Sequence, residues 1–364
     1  MAITKKAVLK ALSNVQDPDL KQDLVTLDMI KNIKIESKKI SFEVVLTTPA
    51  CPLKELIKKD CEKVLLKTFD TAVAFSINMT SNVTTTNESD PLIPHVKNII
   101  AVASGKGGVG KSTTTANLAV ALAKTGAKVG IIDADIFGPS IPTMFNCENE
   151  QPVVKVENGR NMIIPIEQYG VQLMSIGFLT PAEDAVVWRG PMASSAFKQF
   201  ISDTKWDDLD YLLIDLPPGT SDIHLTLVQT IPVTGAVIVT TPQKVALADA
   251  QKGLAMFKQP HINVPILGIV ENMAFFTPKE LPKYKYFIFG EKGGIKLAKK
   301  NSVPLLGQIP IVQSIRENSD NGYPAVMTNG IIAKAYVELA AELARQVAIR
   351  NAKRDKTQVI EVTV

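Results

Sequence analysis

Ala101-Val-Ala-Ser-Gly105-Lys106-Gly107-Gly108-Val109-Gly110-Lys111-Ser112-Thr113 is the stretch from which the rest of the chain is read. It fits the pattern G-x-x-x-x-G-K-[ST], with Gly105, Gly110, Lys111 and Ser112 at the fixed positions. An apolar run, Ile99 to Ala103, precedes it and predicts a buried strand. A run rich in Ala and Leu, from Thr113 to Thr125, follows and predicts a helix. Glycines between a strand and a helix let successive backbone N–H groups turn toward one anion, and the helix N-terminus adds its dipole. The loop Gly105, Lys106, Gly107, Gly108, Val109, Gly110, Lys111, Ser112 and Thr113 is therefore expected to cradle a nucleotide's phosphates. Lys111 would reach the β and γ phosphates, and Ser112 would offer a hydroxyl to Mg²⁺. Lys106 is a second lysine that an ordinary phosphate loop does not need.

Downstream, strand candidates at Lys128–Ile132, Gln172–Ile176, Tyr211–Leu216, Ala236–Thr240, Ile266–Val270 and Leu305–Gln308 alternate with helical stretches. Near-continuous apolar strands between helices predict an α/β fold, a mostly parallel sheet with helices on both faces. Ligand loops then gather at the carboxyl ends of the strands. Asp133 and Asp135, in Ile131-Ile-Asp133-Ala-Asp135, close the second strand of this region. Carboxylates suit Mg²⁺ and the activation of an attacking water, although aspartate is also a common helix cap. Asp215 ends Tyr211-Leu-Leu-Ile-Asp215 ahead of Pro217-Pro218-Gly219, a place where an aspartate holds the Mg²⁺ shell. The metal set expected from sequence is thus Ser112, Asp133 and Asp215. Asn272, in Glu271-Asn272-Met273, carries an amide that can pair with adenine or simply cap a turn, and no Asn-Lys-x-Asp string for guanine occurs. ATP is the expected nucleotide.

The first 80 residues predict a small α+β domain. Lys5–Val15 and Leu53–Phe69 have helical apolar spacing, Ile30–Ile35 and Ile40–Leu46 read as a strand hairpin, and Ala74–Met79 as a last strand. Residues 81–95, rich in Thr and Asn and closed by prolines, read as a linker. Residues 96–350 form the nucleotide domain, ending in a helix over about 331–349, and 351–364 a charged tail. Cys51 stands just before a helix, where the dipole is expected to favour its thiolate. Cys61 lies on an apolar stripe and reads as core, and Cys147 as an ordinary loop thiol.

With 364 residues, 46% hydrophobic and 21% charged, the chain is long enough for two domains. A net charge of +4 with acidic residues mixed throughout marks no nucleic-acid surface, and no apolar run is long enough to span a bilayer. Three cysteines without framework spacing suit a reduced, cytoplasmic setting.

The string Lys106-Gly-Gly-Val-Gly-Lys111-Ser112-Thr113 resembles the deviant Walker A loop of the MinD, ParA and nitrogenase-reductase superfamily. Together with Asp133–Pro142, Trp188-Arg-Gly-Pro-Met192, Asp215–Asp222, Thr240-Thr-Pro-Gln243 and Glu271-Asn-Met273, it resembles the Mrp/ApbC family of iron–sulfur cluster carrier ATPases. The N-terminal segment, with Thr47-Thr-Pro-Ala-Cys51-Pro52, resembles a metal–sulfur cluster assembly domain. The resemblance implies a homodimer that hydrolyses ATP slowly, with Lys106 crossing to the partner's nucleotide, Lys111 and Asp135 acting in catalysis, Asp133 near the metal, Asn272 at the adenine edge, and clusters passed to apo-proteins. It implies neither nucleic acid nor membrane as partner. A ParA/MinD-like positioning ATPase is the alternative, although the tail after Arg350 lacks a clear apolar face. One departure stands out: the family's Cys-x-x-Cys after Glu-Asn-Met is missing, since residues 273–290 contain no cysteine. A cluster would then need another thiol, and Cys51 is the candidate for a transient one, with Cys147 as the other possibility.

Overall fold

In a computed structural model, residues 3–36, 39–69, 73–86, 92–157, 159–179, 190–278, 280–281, 283–355 and 359 are described. The chain divides into two units, residues 1–84 with 348–354, and 85–347 with 355–364.

The first unit carries α1 (Lys5–Leu12), β1 (Ile30–Glu36), β2 (Lys39–Leu46), α2 (Lys54–Thr68) and β3 (Ala74–Ser81). Thr4 caps α1, its hydroxyl accepting from Ala7 N. β2 alternates buried Ile40, Phe42, Val44 and Leu46 with outward residues. That places one face of the β1-β2-β3 sheet on Val8, Leu12, Ile57, Cys61 and Leu65 of the two helices. β2 pairs antiparallel with β1 and parallel with β3.

The second unit carries β4 (Ile99–Ala103), α3 (Lys111–Lys124), β5 (Val129–Asp133), α4 (Ile141–Met144), β6 (Val153–Glu157), β7 (Arg160–Ile164), β8 (Ile166–Gln168), β9 (Val171–Ser175) and α5 (Gly190–Asp203). It continues with β10 (Tyr211–Asp215), α6 (Asp222–Thr230), β11 (Gly235–Thr240), α7 (Lys244–Phe257), β12 (Ile266–Glu271), α8 (Gly293–Asn301), β13 (Leu305–Gln308), α9 (Gln313–Asp320) and α10 (Ile331–Lys353), whose last turns group with the first unit. Eight strands form one sheet in the order β13-β12-β11-β4-β10-β5-β9-β8. Seven run parallel, and β8 adds antiparallel to β9. β4, β5, β10 and β11 are buried at every residue, as helices on both faces require.

The register aligns the functional ends. Asp215 pairs with Val102 on one side and Asp133 on the other, and Thr240 pairs with Glu271. The sequence reading missed β6, β7 and β8. β6 and β7 form a separate hairpin with Val153, Val154 and Val156 exposed, so no buried face imposes an alternating pattern on it. The last helix runs to Lys353, beyond the expected end near 349. Of Trp188-Arg-Gly-Pro-Met192, Trp188 and Arg189 lie outside the described residues, and Gly190 opens α5. No described helix is long and apolar enough to cross a membrane.

Candidate functional site

The loop between β4 and α3 is shaped by two glycines in particular. Gly110 is the N-cap of α3 with φ +82°, a left-handed conformation costly for any residue with a Cβ. A Cβ there would also stand 2.3 Å from Asn272 Nδ2. At Gly105 a Cβ would meet the backbone of α7, 2.1 Å from Asp249 C and 2.4 Å from Ala250 N. The loop is thus pressed between α7 on one side and Asn272 on the other.

α3 begins at Lys111, whose side chain is 6% exposed. Its Nζ lies 2.7 Å from Asp215 Oδ2 and 3.8 Å from Asp135 Oδ2, and donates to Ser112 Oγ at 3.1 Å. Ser112 Oγ donates to Asp215 Oδ2 at 2.6 Å, and Thr115 Oγ1 to Asp215 Oδ1 at 2.7 Å. Asp215 itself is wholly buried. A buried carboxylate is tolerated only when paired, and three donors from one helix satisfy it. The structure therefore brings Lys111, Ser112, Asp135 and Asp215 into one cluster, although they come from α3, the β5 end and the β10 end. Asp135 is half-buried, and its acid is raised above the ordinary range, first by burial, with Lys111 opposing and Asp215 adding.

Asp133, beside that cluster, makes a separate set of hydrogen bonds. Its Oδ2 accepts from Ser140 N at 3.1 Å, Ile141 N at 3.2 Å and Ser175 Oγ at 3.1 Å, and its Oδ1 from Asp135 N at 3.3 Å. It braces the 134–141 loop and the start of α4. Burial and the charge of Asp215 push its acid up to about 7.

Asn272 is 6% exposed, and its Nδ2 donates to Val109 O at 2.8 Å. Its amide braces the phosphate loop, a geometry the base-reading expectation did not anticipate. Glu271 beside it is wholly buried. Its Oε1 accepts from Gly294 N at the start of α8 at 2.7 Å, and its Oε2 from Gln308 Nε2 at 2.5 Å. Lys106 is exposed and pairs with none of the described carboxylates. Gly107 and Gly108 are exposed beside it, Val109 is buried and Thr113 half-buried. The segment after Asp215 is tied to the loop by Gly219 N, which donates to Ser104 O at 2.8 Å with Gly219 at φ +84°.

After Met273 the chain folds back on itself, with Phe276 bridging Tyr286 and the Lys285 ammonium 4.0 Å above the Phe275 ring. Tyr284, Phe287 and Ile288 are exposed there.

The thiols divide sharply. Cys61 and Cys147 are buried, and burial pushes each up to about 12. Cys51, in the first unit, is half-buried, and its thiol is also raised, first by burial and further by Asp17 and Asp19. This corrects the expected thiolate. α2 begins only at Lys54, so Cys51 lies outside its first turn. The Leu53 and Lys54 backbone N–H groups favour the thiolate by less than burial opposes it. No group of three or more His, Cys, Asp and Glu side chains among the described residues is placed to hold a metal by itself.

Thr115, Ser175 and His224 were not singled out from sequence, and Glu271 only as part of the Glu271-Asn-Met273 string. Each acts on a partner far along the chain or on its own turn, and no short spacing announces that.

A family model described as NUBPL iron-transfer P-loop NTPase matches residues 95–347, and one described as iron–sulfur cluster assembly protein matches residues 5–77. An iron–sulfur cluster carrier protein of Synechocystis is 46% identical over 352 residues, covering 95% of this chain and 99% of that protein. Its namesake in Escherichia coli K12 is 46% identical over 343 residues, covering 93% and 91%. A nucleotide-binding protein of Archaeoglobus fulgidus, solved in complex with ADP and with Co, is 41% identical. It covers 63% of this chain and 87% of its own, with a TM-score of 0.55.

Proposed function

Because the chain belongs to the family of NUBPL iron-transfer P-loop NTPases, with an iron–sulfur cluster assembly domain ahead of the nucleotide domain, we propose that it binds and slowly hydrolyses ATP and carries iron–sulfur clusters to apo-proteins. The observation that supports the reading most directly is the cluster of Lys111, Ser112, Asp135 and Asp215 at the carboxyl ends of adjacent strands.

Each residue has a role on this reading. The backbone N–H groups of 105–113 bind the phosphates, and Lys111 leaves Asp215 to meet the β and γ oxygens. The hard oxygens of Ser112 and Asp215, 2.6 Å apart, fit Mg²⁺, which when bound would offset the phosphates' charge. Asp135, its acid raised by burial, orients the attacking water and accepts its proton. Asn272 presents the rest of its amide to adenine while bracing Val109. Lys106, whose exposed ammonium pairs with no described residue, reaches the nucleotide of a second copy in a homodimer. Residues 1–80 act as the assembly domain, 81–95 as linker, and the site of action is the cytoplasm.

The cluster is cargo. The two buried thiols are poor ligands, because a thiol must deprotonate to bind iron. Cys51 is then the thiol for transient contact, completed by ligands from outside this chain.

The test has two parts. Purified protein should turn over ATP with Mg²⁺, and Lys111→Ala should abolish it. Protein reconstituted with iron and sulfide should activate an apo-enzyme that needs a [4Fe–4S] cluster. Turnover in Lys111→Ala at the wild-type rate would overturn the site. ATP-dependent binding to liposomes or DNA, without cluster transfer, would favour a positioning ATPase instead.

A further inference from the structure

His224 is 1% exposed, at the third position of α6, directly after the segment that runs from Asp215. The Ser221 backbone N–H donates to His224 Nδ1 at 3.2 Å. Nδ1 also lies 3.2 Å from Ser221 O and 3.3 Å from Ser221 Oγ, so it meets Ser221 in either neutral tautomer. The other ring nitrogen, Nε2, is sealed from solvent and has no hydrogen-bond partner, one of five such side-chain atoms among the described residues. The ring's neighbours include Phe257 of α7, with ring centroids 6.3 Å apart. An unpartnered buried polar atom costs stability that a hydrocarbon of similar volume would not. Packing therefore does not account for a histidine here, whereas the Nδ1 contact does.

Beyond the bond from Leu216 N to Val102 O that continues the strand pairing, the segment between Asp215 and Ser221 is held at three points. Asp215 is bound by Lys111, Ser112 and Thr115, Gly219 N by Ser104 O, and Ser221 N by His224. The first two are anchors to the nucleotide loop and its strand. The third is the only one of these three that α6 supplies by a side chain. We propose that His224 is a positioning residue for ATP hydrolysis: by fixing Ser221 it holds in place the segment that Gly219 N ties to Ser104 O beside the phosphate loop. The inference rests on the reading that this site hydrolyses ATP.

The experiment compares wild type with H224Q and H224L in steady-state ATP turnover, ADP–Mg²⁺ affinity and thermal melting. Gln is the residue usual at this position of a capping box, and its Oε1 can accept from Ser221 N. H224Q should stay within about twofold of wild type in kcat. H224L should lose about tenfold in kcat, a loss of about 1.4 kcal/mol of transition-state stabilisation. It should keep KM for ATP and ADP affinity, and melt no lower than wild type, because the unpartnered polar atom is gone. Should H224L fail to fold, H224N, whose shorter amide falls short of Ser221 N, carries the same expectation. Three results overturn the inference: equal kcat in all variants, a kcat loss in H224L that tracks lost melting temperature and lost ADP affinity, or H224Q as slow as H224L. Wild type that binds ADP yet never turns over ATP removes the proposed hydrolysis, and this inference with it.

Discussion

Gly105→Ala tests the packing of the phosphate loop against α7. The added methyl carbon would stand 2.1 Å from Asp249 C, 2.3 Å from Asp249 O and 2.4 Å from Ala250 N, where 3.4 Å begins ordinary contact. All three obstacles are backbone in the middle of a helix, so no side chain can swing away. Either α7 or the loop must move by more than 1 Å. α7 cannot retreat freely, because Ala250, Leu254 and Phe257 are buried in the core on the same element. Inserting a methyl into a well-packed site costs about 1–3 kcal/mol, and backbone obstacles place this one at about 3 kcal/mol or above. For a domain of this size that lowers the melting temperature by about 6–12 °C. Where the loop yields instead, Lys111 and the backbone N–H groups shift, and a displacement of about 1 Å at a reacting site costs on the order of 100-fold in rate. Differential scanning fluorimetry and ADP–Mg²⁺ calorimetry read both effects. Gly107→Ala is the control, since its methyl meets only Pro218 at 3.9 Å, and it should melt within about 2 °C of wild type. A Gly105→Ala protein that melts like wild type and binds ADP with the same Kd would refute the reasoning.

Asp135→Ala should bind ATP normally and lose hydrolysis, which single-turnover assays beside equilibrium binding would read; comparable loss of both would remove its role as acceptor. Lys106→Ala should slow hydrolysis more than it weakens ATP binding, and wild type should sediment as a dimer with ATP; a fully active monomer contradicts the trans role. The folded Asp133 holds its proton to about 7 against an ordinary 3.8, so between about pH 4 and 7 the folded state binds more protons than the unfolded one and the group's contribution falls as pH rises. The wild-type minus Asp133→Asn stability difference, from urea titrations, should therefore decline across that window, and a flat difference would count against it. His224 runs the other way. Burial lowers it from 6.5 to about 4, so the unfolded state binds more protons between those values and stability is lost as pH falls through them; the wild-type minus H224Q difference should shrink with acidification. Iron bound after reconstitution should be labile, lost in Cys51→Ser and kept in Cys61→Ser, and a stable stoichiometric cluster in Cys51→Ser would point to Cys147 or to another protein.

What could be read from the sequence alone was what is local. The phosphate loop, the parallel strands that frame it and the terminal aspartate of β10 all announce themselves within about fifteen residues, because glycine spacing, apolar runs and strand-end carboxylates are short-range signals. The small N-terminal domain was legible for the same reason, from the alternation of Ile40, Phe42, Val44 and Leu46. The sheet order was not. It alone decided that Asp215 meets Thr115 a hundred positions earlier, and that Asn272 reaches back 163 positions to the Val109 carbonyl. It also brought Ser175 of β9 to Asp133. Cys51 makes the same point through electrostatics. Its neighbours in sequence favour the thiolate, while burial and the carboxylates of Asp17 and Asp19, brought near only by folding, raise its pKa by more. A residue's type and spacing name the chemistry it can do, but its solvation and its partners are properties of the packed chain, and those decide whether it does it.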